Sequence, residues 1–304
     1  MQIIYSLGII APIVLLGILS RRLQIIPKED SKVLSFFVYY FALPALFISK
    51  IAKINISTLE PKIVSGSVLP IILLVAFLFV LKKIKLINKD CFILSALAIV
   101  FGSNAFFGIP FFESYGGQSG LDFAIITSSV LGPLGMLLSI LLFEYATKKE
   151  NSGNILKKVL INPLILSIIV GVFFSLIDLK ENSLLIKPFE LLGKSAGPVA
   201  IFTLGIFMFD NFSFSTIKKS IGYSLFRFIF LPIATFVSLY LLGITGEIKN
   251  LLILQSGIPA AISLAVFSQR YNYKTSIIGD LVIMTSIFSF FSLGILHLLT
   301  RVFA

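Results

Sequence analysis

Phe101-Gly102-Ser103-Asn104-Ala105-Phe106-Phe107-Gly108-Ile109-Pro110 and Gln255-Ser256-Gly257-Ile258-Pro259-Ala260-Ala261-Ile262-Ser263 decide the fold. Each interrupts a long apolar stretch with glycine, proline and uncharged polar residues. A proline inside a helix removes one N–H donor and leaves the carbonyl four residues back unpaired, here that of Phe106 and of Gln255. Lipid supplies no replacement partner, so such a break persists only inside protein or beside a watery cavity. The two breaks occupy corresponding places in the two halves of the chain, a pattern that points to a binding site near the bilayer midplane.

Around these breaks the chain is apolar almost throughout. Of 304 residues, 57% are hydrophobic and 13% charged, and the mean hydropathy is +1.04. A soluble domain carries about a quarter charged residues, so the composition is that of an integral membrane protein. Ten apolar stretches follow one another: 3–19, 33–51, 64–81, 91–112, 123–146, 159–176, 184–209, 221–242, 251–267 and 276–299. Most can cross a hydrocarbon core, which takes about 20 helical residues. The first is followed by Arg21 and Arg22 rather than by a small-residue cleavage site, so it reads as a retained span.

The net charge of +11 reflects topology, not nucleic-acid binding. Sixteen Lys and Arg residues fall in loops on one side, among them Lys82, Lys83, Lys148, Lys149, Lys218 and Lys219, against seven on the other. Basic residues concentrate in cytoplasmic loops, which places both termini on the non-cytoplasmic side of the cell membrane. With one cysteine, Cys91, and one histidine, His297, no multi-cysteine metal site and no internal disulfide can form. No metal and no cofactor is implied.

Ten spans divide into two sets of five: residues 1–146, a cytoplasmic linker 147–158, and residues 159–304. An odd number of crossings would invert the second copy relative to the first. Pro44, Pro70 and Pro110 in spans two to four find counterparts in Pro198, Pro232 and Pro259 in spans seven to nine.

At this level of detail the chain resembles the auxin efflux carrier family of secondary transporters. The resemblance is carried by Gly17 through Leu43-Pro44-Ala45-Leu46-Phe47, Asn104 with Gly108-Ile109-Pro110 and Tyr115-Gly116, and Asn162-Pro163. It extends through Leu191-Leu192-Gly193 with Pro198 and Gly205, and through Ile258-Pro259 with Gln269-Arg270-Tyr271. It implies an all-α fold of ten helices in a 5+5 inverted repeat, with broken helices four and nine crossing, like bile-acid symporters and sodium/proton antiporters. Helices one, two, six and seven would form a scaffold that often dimerises, and helices three to five and eight to ten a moving transport part. Short members of this kind are described as malate or malonate permeases, and plant members export auxin, all of them organic carboxylates. Where many members carry a second proline after Pro259, this chain has Ala260.

An anionic substrate agrees with the residues. Interrupted helices present free N–H groups and a positive dipole end, which suit a carboxylate. Asn104 supplies both donor and acceptor at the opening, flanked by Gly108 and Pro110. Gln255, Ser256, Pro259 and Ser263 are the second-half counterparts. The plainer reading of Asn104, that it only satisfies exposed backbone, stands behind the functional one because breaks survive only near cavities. Ionisable residues at membrane depth are functional suspects. Arg227, Lys194 and Asp280 are accordingly candidates for anion attraction or ion coupling. The plainer readings are that Arg227 snorkels to the cytoplasmic face, that Lys194 anchors at the interface, and that Asp280 pairs with Arg227. Glu113 and Asp122 lie toward the outer face, and His297 reads as a packing or surface residue.

Gly193-Lys194-Ser195 only imitates a phosphate-binding loop, since Pro188 stands where its leading glycine belongs. Gly193 and Gly197 read as close helix packing. No filter-like repeat suggests a channel, and no acid, base or metal constellation suggests an enzyme. The expected activity is alternating-access transport of a small organic carboxylate. A passive anion channel and an ion-coupled carrier of some other solute are the alternatives, and proton coupling, sodium coupling and uniport all stay open.

Overall fold

Uniformly apolar segments must close their backbone hydrogen bonds internally, and the helix is how a single segment does so. The computed structural model describes residues 2–27, 33–34, 36–52, 61–147, 161, 163–177, 184–211 and 217–302, and over these it is helical without a strand. The helices are α1 (Gln2–Arg22), α2 (Leu43–Ile51, entered through a π-helical stretch Val38–Ala42), α3 (Pro61–Lys83) and α4 (Lys89–Val100). Then come α5 (Ile109–Thr147), α6 (Pro163–Leu176), α7 (Lys187–Gly193), α8 (Ala196–Asn211), α9 (Ile217–Leu241), α10 (Gly246–Ser256), α11 (Ser263–Tyr271) and α12 (Thr275–Val302). Five described segments are long and apolar enough to cross a membrane: Pro61–Lys83, Asn104–Thr147, Lys187–Asp210, Ile217–Leu241 and Thr275–Arg301. The acidic turn at 28–32, Asn162 and most of the linker lie outside the described residues.

Local chemistry sets the helix ends. Asn88 caps α4, its Oδ1 accepting the Cys91 N–H at 2.8 Å. α3 closes on Lys85, left-handed at φ 62°, with the Leu86 N–H donating to the Leu81 carbonyl at 3.0 Å. α9 closes the same way on Gly243, φ 61°, with Ile244 bonding back to Leu239. α5 has 39 residues, about 58 Å if straight and too long for one crossing. Gly117, at φ 60° and ψ −135°, turns the backbone within it.

The chain divides into two units. The first comprises Met1–Pro61, Ala105–Ser129 and Asn154–Asp210. Within it, α2 packs on α6 and α7, and α1 meets α8 where both present glycine. A Cβ on Gly17 would stand 2.1 Å from the Phe202 carbonyl oxygen, and one on Gly205 2.0 Å from that of Val14. Hydrophobic burial gives helices little reason to associate in lipid, so such close backbone approach supplies the attraction through dispersion contacts. Arg21 Nε reaches Asp210 Oδ1 at 2.6 Å across the same pair of helices.

The second unit comprises Lys62–Asn104, Val130–Gly153 and Asn211–Ala304. Here α9 packs on α12, α10 and α4, and α12 also covers α11. This unit contains both ends of the first break up to Asn104 and all of the second.

Candidate substrate site

α4 stops at Val100 and Phe101 is extended, at φ −127° and ψ 93°. Helical geometry resumes as a π-helical turn over Asn104–Gly108, and α5 follows. The break therefore lies at 101–103, not at the Phe106 carbonyl as proline spacing suggests. Pro110 lies inside the continuous helical run Asn104–Thr147, just past its π-helical first turn. The second break also differs in detail. α10 ends at Ser256, and the Gln255 carbonyl is not orphaned but accepts the Ile258 N–H at 3.2 Å.

Within the second unit the two unwound segments satisfy each other. Gly102 and Ala260 form an isolated antiparallel bridge. The Ser103 N–H donates to the Pro259 carbonyl at 2.8 Å, and the Ala261 N–H to the Phe101 carbonyl at 2.9 Å. The Ala260 N–H goes to Thr285 Oγ1 on α12 at 3.1 Å. Backbone that lost its helical partners has thus found new ones, which lets it stay unwound inside an apolar unit. The Ser103 hydroxyl, buried beside this bridge, has no hydrogen-bond partner among the described residues.

Arg227, on α9, overturns the snorkelling reading. It is 1% exposed, and its guanidinium points into the unit. Nε and Nη2 both donate to the Ile258 carbonyl, at 3.1 and 2.9 Å. Nη1 donates to the carbonyls of Ala98 and Ile99. No carboxylate among the described residues pairs with it, so the expected partnership with Asp280 is replaced by backbone oxygens.

Beside Arg227 lies a small recess, open on one side. Asn104, Gln255, Ser256, Ser67 and Gly102 contribute its polar lining, and Pro70, Ile71, Leu231 and Leu252 some of its apolar wall. Among the described residues, Arg227 is the single ionisable one in the lining. Gln255 Nε2 donates to Asn104 Oδ1, and Asn104 Nδ2 to the Gly102 carbonyl, both at 3.3 Å. These bonds sit at the long end of the N–H···O range, so a ligand oxygen can compete for the same donors. Pro70, inside α3, has no N–H to offer the Gly66 carbonyl, and both residues line the recess.

Of the residues expected from sequence, Asn104, Gln255, Ser256 and Arg227 converge on this cavity. Pro259 contributes only its carbonyl to the bridge, and Ser263 begins α11. Gly108, Pro110 and Lys194 belong to the first unit, where Lys194 is exposed between α7 and α8. Asp280 and His297 are buried in α12, Glu113 is exposed, and Asp122 accepts a hydrogen bond from Gln118. Ser67 and Thr285 were missed. Each is one hydroxyl in an apolar helix, and sequence gives no sign of which such hydroxyl faces a break.

Long apolar helices, two of them interrupted and joined through backbone at a polar recess, define a membrane transporter. The chain belongs to the membrane transport protein family, which residues 3–297 match. The resemblance read from the sequence motifs is thereby borne out. An uncharacterized transporter of Methanocaldococcus jannaschii is 27% identical over 294 residues, covering 92% of this chain and 93% of the relative. An uncharacterized transporter of Methanothermobacter thermautotrophicus is 22% identical over 293 residues, with the same coverage. Auxin efflux carrier component 1 of Arabidopsis thaliana is 29% identical over 133 residues, 42% of this chain and 21% of its own length.

Proposed function

We propose that the protein is a secondary carrier of a small organic carboxylate and that the cavity beside Arg227 binds the cargo. The observation that carries this reading is the lining itself. One guanidinium, two primary amides and the hydroxyl-bearing Ser67, Thr235 and Ser256 line a recess at unwound backbone, with apolar side chains making up the rest of its wall. A carboxylate uses such donors well, because charge-assisted hydrogen bonds are about twice as strong as neutral ones. The Arabidopsis relative is named for auxin, itself a carboxylic acid, which supports the same class of cargo. The recess, of about 30 Å³, has room for two or three waters, so the acid group enters first and a larger cargo requires opening.

The ten apolar stretches then form two inverted sets of five in the cell membrane, with both termini outside the cytoplasm. Transport proceeds by alternating access, the unit that holds the cavity moving as an elevator against the other. A homodimer built through the non-moving helices fits the family pattern. Purified protein in proteoliposomes tests the reading: saturable uptake and counterflow of malate, malonate or indole-3-acetate support it. Single-channel currents would replace it with a pore.

A further inference from the structure

Arg227 occupies a place where cation-binding chemistry converges. The Ala98 and Ile99 carbonyls belong to the last turn of α4, whose oxygens have no intrahelical donors. The Ile258 carbonyl lies two residues past the end of α10. Two helices therefore direct their C-terminal, partly negative ends at one point. Such converging carbonyls from half-helix ends and unwound backbone are what hold a cation in broken-helix carriers. In this chain the point is filled by a guanidinium, which donates to all three oxygens. Gly102 leaves the approach from the cavity open: a Cβ there would stand 3.1 Å from Arg227 Nη2 and 3.3 Å from Asn104 Nδ2.

We propose that Arg227 is a tethered resident cation that positions the two broken helices, so that the site binds its anion without a co-bound metal cation. The inference rests on the substrate-site reading for its second half only. The first half, a fixed cation in place of a mobile one, concerns the apo protein. Arg227 is here a positioning residue, and Nη2, its fork shared with the Ile258 carbonyl, faces the recess where the anion would sit.

The test uses the full-length protein in detergent, with thermal unfolding followed in sodium, potassium and N-methyl-D-glucamine chlorides at equal ionic strength. The wild type should melt at the same temperature in all three. Arg227→Ala should melt lower in N-methyl-D-glucamine and regain part of the loss with sodium, potassium or guanidinium at concentrations far below denaturing. Arg227→Lys should retain the indifference to the cation. A wild type stabilised specifically by sodium overturns the proposal, and so does an Arg227→Ala protein that no small cation rescues, since packing alone would then explain the residue. If Arg227→Ala does not fold, the wild-type and Arg227→Lys arms still decide. The second arm adds malonate to the wild type: an equal shift in sodium and in N-methyl-D-glucamine supports cation-free binding, and a shift confined to sodium refutes it. Were neither malonate nor any other carboxylate to shift the protein, the cargo reading would fail while the cation result stood.

Discussion

Gln255 donates to Asn104 at 3.3 Å, a contact between residues 151 positions apart. It joins the end of α10 to the first residue after the α4 break, and both side chains are more than nine-tenths buried. A buried amide pair this long is held loosely, and it stands where a carboxylate would insert. Gln255 Oε1 faces the Ser67 hydroxyl at 3.2 Å, so the network reaches α3 as well.

Asn104→Ala and Gln255→Ala should each weaken carboxylate binding with little loss of stability. A hydrogen bond to a charged group is worth about 1.5–3 kcal/mol, so affinity falls roughly tenfold to a hundredfold. Because the two amides touch, the double variant should lose less than the sum. Counterflow in proteoliposomes and melting temperature in detergent measure the two effects separately.

Gly135 on α5 should tolerate no side chain. Its Cβ would lie 2.7 Å from the Val100 carbonyl oxygen and 3.1 Å from the Phe101 Cα, directly against the first break. Gly135→Ala should cost about 1–3 kcal/mol through forced backbone movement. Gly132→Ala is the control, since nothing lies within 4 Å of a Cβ there. Thermal unfolding of the pair should show a clear drop for the first and almost none for the second.

Arg21 and Asp210 should behave as a coupled pair. Their side chains are 14% and 12% exposed, so the bond is better shielded than a surface ion pair. Either alanine variant should destabilise by about 1–2 kcal/mol, less than loss from a fully buried pair. The double variant should be little worse than either single one, a result that a melting-temperature cycle reads directly.

Acid should weaken the second unit through Asp90, which lies just before the apolar stretch that starts at Cys91. Lys274 at 3.0 Å and the Tyr273 hydroxyl at 2.8 Å hold its carboxyl below the usual carboxylate range. A folded-state pKa depressed in this way gives stability that is present above the unfolded value, about 3.9, and lost as pH falls through the folded one. The pair is nearly half exposed, so the contribution is modest. Asp90→Asn should flatten the acid limb of melting temperature against pH between about 5 and 2.

The breaks were legible because glycine, proline and buried amides are rare enough in an apolar stretch to stand out. Their mutual pairing was not. The first break reads as the stretch from Phe101 to Pro110, and the chain unwinds only at its start, where Gly102 gives Arg227 room and Phe101 can be extended against Ala261. Arg227 shows the limit most clearly. Sequence gives its depth in α9, but the same depth serves a side chain that climbs to the interface or one that turns inward. Only the carbonyls of Ala98, Ile99 and Ile258, brought together by the fold, decide between them.

A transported acid seated in the recess beside Arg227 shields the side chains that line it. Cys91 is the one native cysteine, so Cys91→Ser gives a background in which a single new thiol reports on the site. Thr235→Cys places that thiol in the lining, and Leu86→Cys, at an exposed position, serves as control. The rate of thiol labelling by a small methanethiosulfonate is measured with and without the acid that the wild-type protein transports. Slower labelling at position 235 and unchanged labelling at position 86 is the predicted result. Equal rates at position 235 with and without a transported acid would mean that the acid binds elsewhere.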